Sequence, residues 1–215
     1  MEMDQLTSYI WLRQALLCLF MTWYYDSDIL DLVTSGNVAY ELCRPVDIYS
    51  MWFLKNAATR VSRAALRCMP IIIFSLFLPN NIGLSLPADP LSFLLFIISV
   101  AIGSTLSISF IMFIYISSFY TVSSLGTRIV ATNIASFLSG EVIPLPFLPD
   151  SLRTVITLLP FASMQNTPFL IYNGVYGHHE ALNMVLLQLF WLAVISGAGK
   201  LWINSAVKKV VVQGG

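Results

Sequence analysis

The sequence predicts an all-α fold, specifically a polytopic helical membrane protein with about five transmembrane helices. Of its 215 residues, 57% are apolar and only 10% are charged, whereas about 25% of the residues in an ordinary soluble domain are charged. The mean hydropathy is +0.79. A soluble core of this size has no room to hide so much apolar surface from water, whereas lipid solvates that surface directly.

Charge and cysteine content argue against two other classes of protein. Eleven Lys and Arg residues balance eleven Asp and Glu residues, so no basic field favours a nucleic acid as partner. The three cysteines show no CxxC spacing, and their number is odd. All three lie within or beside the predicted membrane region on its cytosolic side, so we expect free thiols rather than a disulfide framework.

Five apolar stretches account for the predicted spans, each of which takes about 20 residues of helix. The uncharged stretch from 90 to 127 is too long for one span, and we divide it into two with a turn near Ser117 and Ser118. The chain is then one transmembrane domain over 1–215, with spans predicted at 6–24, 62–79, 91–116, 118–139 and 181–203.

The distribution of Lys and Arg sets the predicted orientation, because these residues stay on the cytoplasmic side of a membrane protein. Of the positions counted, Arg153 alone falls on the predicted external side. The predicted cytosolic side holds Arg44, Lys55, Arg60, Arg63, Arg67, Lys200, Lys208 and Lys209. The C-terminus is therefore expected in the cytosol. Five spans then leave the N-terminus outside without a basic signal sequence, so we expect that a natural first helix is missing.

Arginines inside or beside the spans form a further group. Arg60, Arg63 and Arg67 share one helix face and are expected to reach the lipid headgroups. Arg13 and Arg128 fall within predicted spans, where a charge is costly and indicates a functional site by default. For Arg128, structural pairing is the first interpretation, and contact with substrate or a partner subunit is the functional alternative.

The cytosolic segment 26–60 contains two predicted helix starts. Asp28 is the expected N-cap of a short helix with an apolar face, which ends at Gly36. Asp47 is the expected N-cap of a second helix, whose Trp52 indicates a position at the membrane interface. A short helix with an apolar face needs a partner surface, which is either another protein or its own chain.

The external segment 140–178 cannot form a continuous span, because prolines interrupt it. Two apolar pieces at 151–159 and 161–172 lie between them and are too short to cross a bilayer. We therefore expect a re-entrant or interfacial helical hairpin whose backbone is shielded by protein. The prolines are Pro144, Pro146, Pro149, Pro160 and Pro168.

These two segments, in this order and at this separation, resemble the type-2 ABC transporter permease family. Within the family, the chain is most similar to a bacterial branch with the pattern Ser-Gly-x-x-x-Tyr-x-Leu-x-Arg-Pro, which stands here at residues 35–45. The resemblance covers essentially the whole chain. Family members usually have six spans and an N-terminal amphipathic helix, and this sequence lacks that front portion. Further matching positions are Gly140, Ile143, Pro144, Leu145, Phe147, Pro149, Leu159, Pro160, Phe161, Pro168, Tyr172, Gly174 and the closing Val212–Gly215.

The resemblance implies a subunit of an ABC exporter that forms the translocation path. Residues 28–35 would be the coupling helix that docks on a separate ATPase subunit, and residues 140–174 would cap the path from outside. The implied coupling residues are Asp28, Ile29, Leu30, Asp31, Leu32, Gly36, Tyr40, Arg44 and Pro45. The residues assigned to the path and the external hairpin are Arg128, Gly140, Pro144, Pro149, Pro160 and Phe161.

The resemblance also implies the partners and the location. A second permease subunit, identical or paralogous, would complete the path within the lipid bilayer of a bacterial plasma membrane. ATP and Mg would be bound by the partner ATPase, and this chain would hold no cofactor of its own.

Rival interpretations find less support in the residues. The stretch 197–200 ends in Gly-Lys but has Val194 and Leu201 where a phosphate loop needs Gly and Ser or Thr. His178 and His179 are adjacent and lack the spacing of a metal site, so we expect no metal. No nucleophile–base pair indicates a membrane enzyme. A non-catalytic membrane scaffold or assembly protein stays the alternative, since it shares the hydropathy.

Overall fold

The chain folds into a bundle of α-helices, which confirms the predicted all-α class. The computed structural model describes residues 3–79, 82–121 and 124–208, and none of these residues lies in a β-strand. Lys209 and the motif residues Val212–Gly215 lie outside the described residues. Within the described ranges the helices are α1 (Met3–Phe20), α2 (Ser27–Thr34), α3 (Val38–Leu42), α4 (Ile48–Leu76), α5 (Pro90–Ser117), α6 (Ser124–Leu138), a 3-10 helix (Leu145–Phe147), α7 (Asp150–Thr157), α8 (Pro160–Tyr172) and α9 (His178–Val207).

Helices α1 and α4 form an antiparallel pair. The Arg67 Nε donates a hydrogen bond to the Gln14 carbonyl oxygen at 3.1 Å, and the Arg60 Nη1 donates to the Leu19 carbonyl oxygen at 3.0 Å. Later residues of α1 thus meet earlier residues of α4. The pairing brings the C-terminus of α1 close to the first half of α4, so the connecting segment folds at that end.

Helix α5 is the centre of the bundle and packs most extensively against α8 and α9. The Phe161 ring, at the start of α8, lies 5.5 Å from the Phe110 ring, and the Tyr172 ring, at its end, lies 5.1 Å from the Phe96 ring. Helix α8 is therefore antiparallel to α5. Since each helical residue rises about 1.5 Å, α8 begins about 30 Å along α5 and returns toward the α5 N-terminus.

Two large core clusters lie at opposite ends of α5. The first surrounds the C-terminal part of α5, including Tyr115, and contains buried residues of α2, α4 and α9, among them Ile29, Trp52 and Ile203. The second surrounds the N-terminal part of α5 and contains buried residues of α1, α8 and α9. The α2–α3 segment is thus part of a packed core.

The observed helices differ in length from the predicted spans. Among the residues that the structure describes, two helices, Pro90–Ser117 and His178–Val207, are long and apolar enough to cross a membrane by length and composition. The turn predicted near Ser117 is present, since α5 ends there. Helix α6 begins at Ser124, six residues later than the predicted span, because residues 118–120 form that turn. Its 15 residues measure about 22 Å, so the crossing of a bilayer by α6 stays a prediction.

Two side chains are more buried than the sequence indicated, and the three cysteines are free as predicted. Trp52 is only 1% exposed and packs in the core of its own chain, so its ring does not contact lipid headgroups, and the position of its helix at the membrane interface stays a prediction. Arg60 is also 1% exposed and does not reach headgroups, because it is enclosed between α1 and α4. The free-thiol prediction is confirmed for all three cysteines.

Candidate functional site

Helix α2, the predicted coupling helix, is capped by Asp26 and not by the predicted Asp28. The Asp26 carboxylate accepts a hydrogen bond from the Asp28 backbone N at 3.0 Å. Asp28 lies instead in the first turn, where the positive end of the helix dipole stabilises its carboxylate. Gly36 follows the helix with a φ of +78°, a left-handed conformation that favours glycine.

The apolar side of α2 faces the core of its own chain. Ile29 and Leu30 are 1% and 5% exposed and pack in the cluster that contains Val38 and Trp52. Leu32 is half-buried. A direct contact of Ile29 or Leu30 with a partner would require these side chains to leave that core.

The outer side of the same segment is exposed. We define the exposed coupling surface as Asp28, Asp31, Tyr40, Leu42, Arg44, Pro45 and Val46. Tyr40 is its most prominent member, with 76% of its surface exposed. The surface combines carboxylates, an arginine and apolar side chains, and aromatic residues and Arg are enriched in protein interfaces.

Lys55 of α4 fixes the start of α2. Its Nζ lies 2.8 Å from the Asp26 carboxylate and 3.4 Å from the Asp28 carboxylate. Burial alone lowers the pKa of Lys55, but the hydrogen bonds and charges of the two aspartates outweigh it and raise this pKa overall. Lys55 therefore stays protonated and joins the coupling segment to α4.

Two further contacts hold α3 and the start of α4. The Trp52 Nε1 donates a hydrogen bond to the Glu41 carboxylate at 2.8 Å. Asp47 caps α4 as predicted, because its carboxylate accepts hydrogen bonds from the Ser50 backbone N at 3.0 Å and the Ser50 hydroxyl at 2.6 Å. The Ser50 hydroxyl lowers the pKa of Asp47, which keeps the cap ionised.

Tyr115 connects the coupling segment to α5. Its side chain is fully buried, and its hydroxyl accepts a hydrogen bond from the Asp26 backbone N at 2.8 Å. The same hydroxyl donates to the Asn56 Oδ1 at 3.2 Å. One phenol therefore joins α5, α4 and the start of α2.

Arg128 lies near this junction, close to the start of α6. Its guanidinium carbon lies 5.2 Å from the centroid of the Tyr25 ring, a cation–π distance. The Tyr25 hydroxyl bonds the Thr132 hydroxyl on the next turn of α6. Since Tyr25 immediately precedes Asp26, Arg128 links α6 to the coupling segment.

The predicted hairpin residues mark the ends of short elements. Gly140 has a φ of +82° after α6, Pro144 and Pro149 precede the 3-10 helix and α7, and Pro160 opens α8. Phe161 packs edge-to-face on α5. The boundaries of α7 and α8 agree with the two predicted apolar pieces to within two residues.

Helix α8 is buried from Ala162 to Tyr172, including several polar side chains. Gln188 of α9 donates one hydrogen bond to the Ser163 carbonyl oxygen at 2.7 Å, and its side-chain oxygen accepts another from the Ser99 hydroxyl at 2.8 Å. Gln188 thus joins α8, α9 and α5. This enclosure provides the shielding by protein that a re-entrant segment needs.

The described residues contain no group of three or more His, Cys, Asp or Glu side chains arranged to hold a metal ion. His178 and His179 open α9 at its exposed N-terminus. Residues 197–200 lie inside α9, so they form no loop that can surround a phosphate.

Sequence reasoning missed the three residues that hold the coupling segment in place: Lys55, Asn56 and Tyr115. The sequence did contain one signal for such contacts: Tyr115 and Gln188 are each a polar group inside a long apolar stretch. Such groups need a bonding partner, because an unpaired polar group is costly in a membrane. The identity of the partner depends on the tertiary fold.

Comparison with known proteins places the chain in a family. No curated protein and no solved structure matches it. A family model described as ABC-2 family transporter protein matches residues 5–214, nearly the whole chain. The chain is therefore an integral membrane protein and a permease component of an ABC transporter, and it belongs to the ABC-2 transporter family.

Proposed function

We propose that this permease is the membrane-spanning subunit of an exporter that receives mechanical work from a separate ATPase through the exposed coupling surface. The observation that carries the proposal is the double attachment of α2. Lys55 joins it to α4, and Tyr115 joins it to α5. A push on the outer side of α2 therefore moves two long helices together.

The proposed contact differs from the one expected from sequence. Ile29 and Leu30 serve as the internal support of the surface, because they are buried. Asp28, Asp31 and Tyr40 make the contact with the ATPase. Gly36 and the segment Arg44–Pro45 shape the turns that present it.

The remaining parts of the proposal follow from the family and the predicted orientation. Substrate crosses between this chain and a second permease subunit, and residues 140–174 cap the path on the outer side. The partner ATPase binds ATP and Mg, and the permease chain itself is not an enzyme. The complex lies in a bacterial plasma membrane with the permease C-terminus in the cytosol.

The test is co-purification from native membranes in mild detergent with a C-terminal tag. We expect a stoichiometric ATPase with the wild-type chain and its loss with Tyr40→Glu, which places a charge in the contact without disturbing the fold. Leu86→Glu is the matched control, because Leu86 is 85% exposed in the loop before α5. An ATPase retained equally by both variants would contradict the proposed contact.

A scaffold or assembly function is the second candidate. The observation that favours it is that the apolar side of α2 is already covered by its own chain. This function predicts that no ATPase co-purifies with the wild-type chain, including when any upstream coding sequence is restored. The same experiment therefore separates the two functions.

A further inference from the structure

A cavity of about 450 Å³ lies between the first turns of α4 and the C-terminal half of α9. This volume falls within the range of about 300–1,000 Å³ that is typical of small-molecule sites. Tyr49, Phe53 and Leu54 of α4 form its apolar wall, and Ser196 and Lys200 of α9 form the opposite side. The cavity is separate from the exposed coupling surface.

The glycines of α9 create this space. A Cβ added at Gly197, which lines the cavity, would meet no atom within 4 Å. A Cβ added at Gly199 would lie 3.1 Å from the Tyr49 hydroxyl, so a larger residue there would displace the Tyr49 ring. The missing side chain at Gly197 therefore leaves the space open, and the missing side chain at Gly199 admits the Tyr49 ring.

The two polar groups of the cavity differ in their access to an occupant, because the Tyr49 hydroxyl is enclosed by protein and Lys200 is exposed. Tyr49 is 6% exposed, yet its buried hydroxyl forms no hydrogen bond of ordinary geometry, although Ser109 and Ser196 lie near it and bond each other at 2.8 Å. Lys200 is exposed at the rim and forms no ion pair with a described residue. A buried hydroxyl needs an acceptor, and an ammonium group offers three donors.

The charges around the cavity favour an occupant that carries a phosphate. The Asp47 carboxylate is close enough to Lys200 for their charges to interact, but it already accepts two hydrogen bonds from Ser50. Lys200 is therefore available to an external anion. Basic pockets between membrane helices at the cytoplasmic side bind lipid headgroups in other proteins.

We propose that this cavity binds one phospholipid of the inner leaflet, with the phosphate on Lys200 and an acyl chain against Tyr49 and Phe53. Because α4 continues from the coupling segment, the bound lipid holds that segment against α9. The proposal rests on the orientation in the proposed function and not on the ATPase contact, so each can fail without the other.

The test is native mass spectrometry of the full chain purified in mild detergent, followed by titration with dioleoyl phosphatidylglycerol. We expect the wild-type chain to retain one phospholipid. Gly197→Leu fills the cavity and is expected to abolish retention. Gly126→Leu on α6 is the matched control, because a Cβ at Gly126 also meets nothing within 4 Å.

A second pair of variants keeps the proposal testable if Gly197→Leu fails to fold. Lys200→Gln is expected to weaken phospholipid binding about tenfold. Lys208→Gln, at the C-terminal end of α9 and outside the cavity lining, is expected to leave binding unchanged. Equal lipid retention by Gly197→Leu and Gly126→Leu would overturn the proposal. So would equal binding of a phosphate-free lipid such as monoolein, or full occupation by inorganic phosphate alone.

Discussion

Gly103 of α5 offers a direct test of the packing between α5 and α8. A Cβ added there would lie closer than 3.0 Å to the Met164 carbonyl oxygen and 3.3 Å from the Ser163 carbonyl oxygen. Both atoms belong to the backbone of α8, so no side-chain rotation relieves the contact. Gly103→Ala therefore forces the whole of α8 away from α5 by more than 0.4 Å, the difference between 3.0 Å and the 3.4 Å at which ordinary contact begins.

The expected free-energy change follows from three effects. Overpacking of this kind costs about 1–3 kcal/mol. Displacement of α8 also stretches the hydrogen bond from Gln188 to Ser163, which contributes about 1 kcal/mol. Replacement of Gly by Ala inside a helix returns about 1 kcal/mol. We expect a net destabilisation of about 2 kcal/mol, which lowers the melting temperature by about 4–8 °C for a chain of this length.

The assay is thermal unfolding of the full chain in one detergent, followed by the loss of the monodisperse peak in size-exclusion chromatography. Gly197→Ala is the matched control, because the added methyl group enters open space in α9 and is expected to raise the melting temperature by about 2–4 °C. Replacement of glycine by alanine is thus expected to lower the melting temperature at position 103 and to raise it at position 197. A melting temperature for Gly103→Ala at or above wild type would refute the close contact between α5 and α8.

Three further predictions concern the coupling segment. Tyr115→Phe removes two buried hydrogen bonds and is expected to lower the free energy of unfolding by about 2 kcal/mol. Tyr40→Phe, at an exposed site, is expected to change it by less than about 0.5 kcal/mol. Equal effects of the two substitutions would contradict the role of Tyr115 in joining the helices. Asp47→Ala removes the cap of α4 and is expected to cost about 1 kcal/mol. Because the folded pKa of Asp47 is lowered, the difference from wild type is present above pH 3.8 and shrinks as the pH falls through that lowered pKa, which unfolding at several pH values measures. Arg128→Ala is expected to impair transport in reconstituted vesicles while ATPase binding persists, and wild-type transport by this variant would count against its role.

The sequence predicted those elements whose signals are local. Asp47 is a residue type that favours the N-cap, and this was enough to locate the start of α4. Pro160 fixed the start of α8, because proline fits the first turn of a helix and breaks its interior. The two long apolar helices α5 and α9 were found from composition alone.

The errors have a common physical cause. Asp26 and Asp28 are both suitable caps, and the choice of Asp26 depends on its backbone N bonding Tyr115, 89 residues away in sequence. Trp52 has an amphipathic side chain that suits a membrane interface as well as a core with an acceptor, and Glu41 supplies that acceptor. The burial of Leu30 likewise depends on neighbours from α4 and α5 that local sequence does not specify.

The enclosed position of α8 has a consequence for biosynthesis. Helix α8 is made before α9, yet its Ser163 carbonyl oxygen finds its partner in Gln188, and two core clusters are completed by α9 side chains. While α9 is still in the ribosome, the polar groups of α8 lack their final neighbours, and such groups are costly in lipid. The packing of α8 is therefore completed only after the last helix has been made.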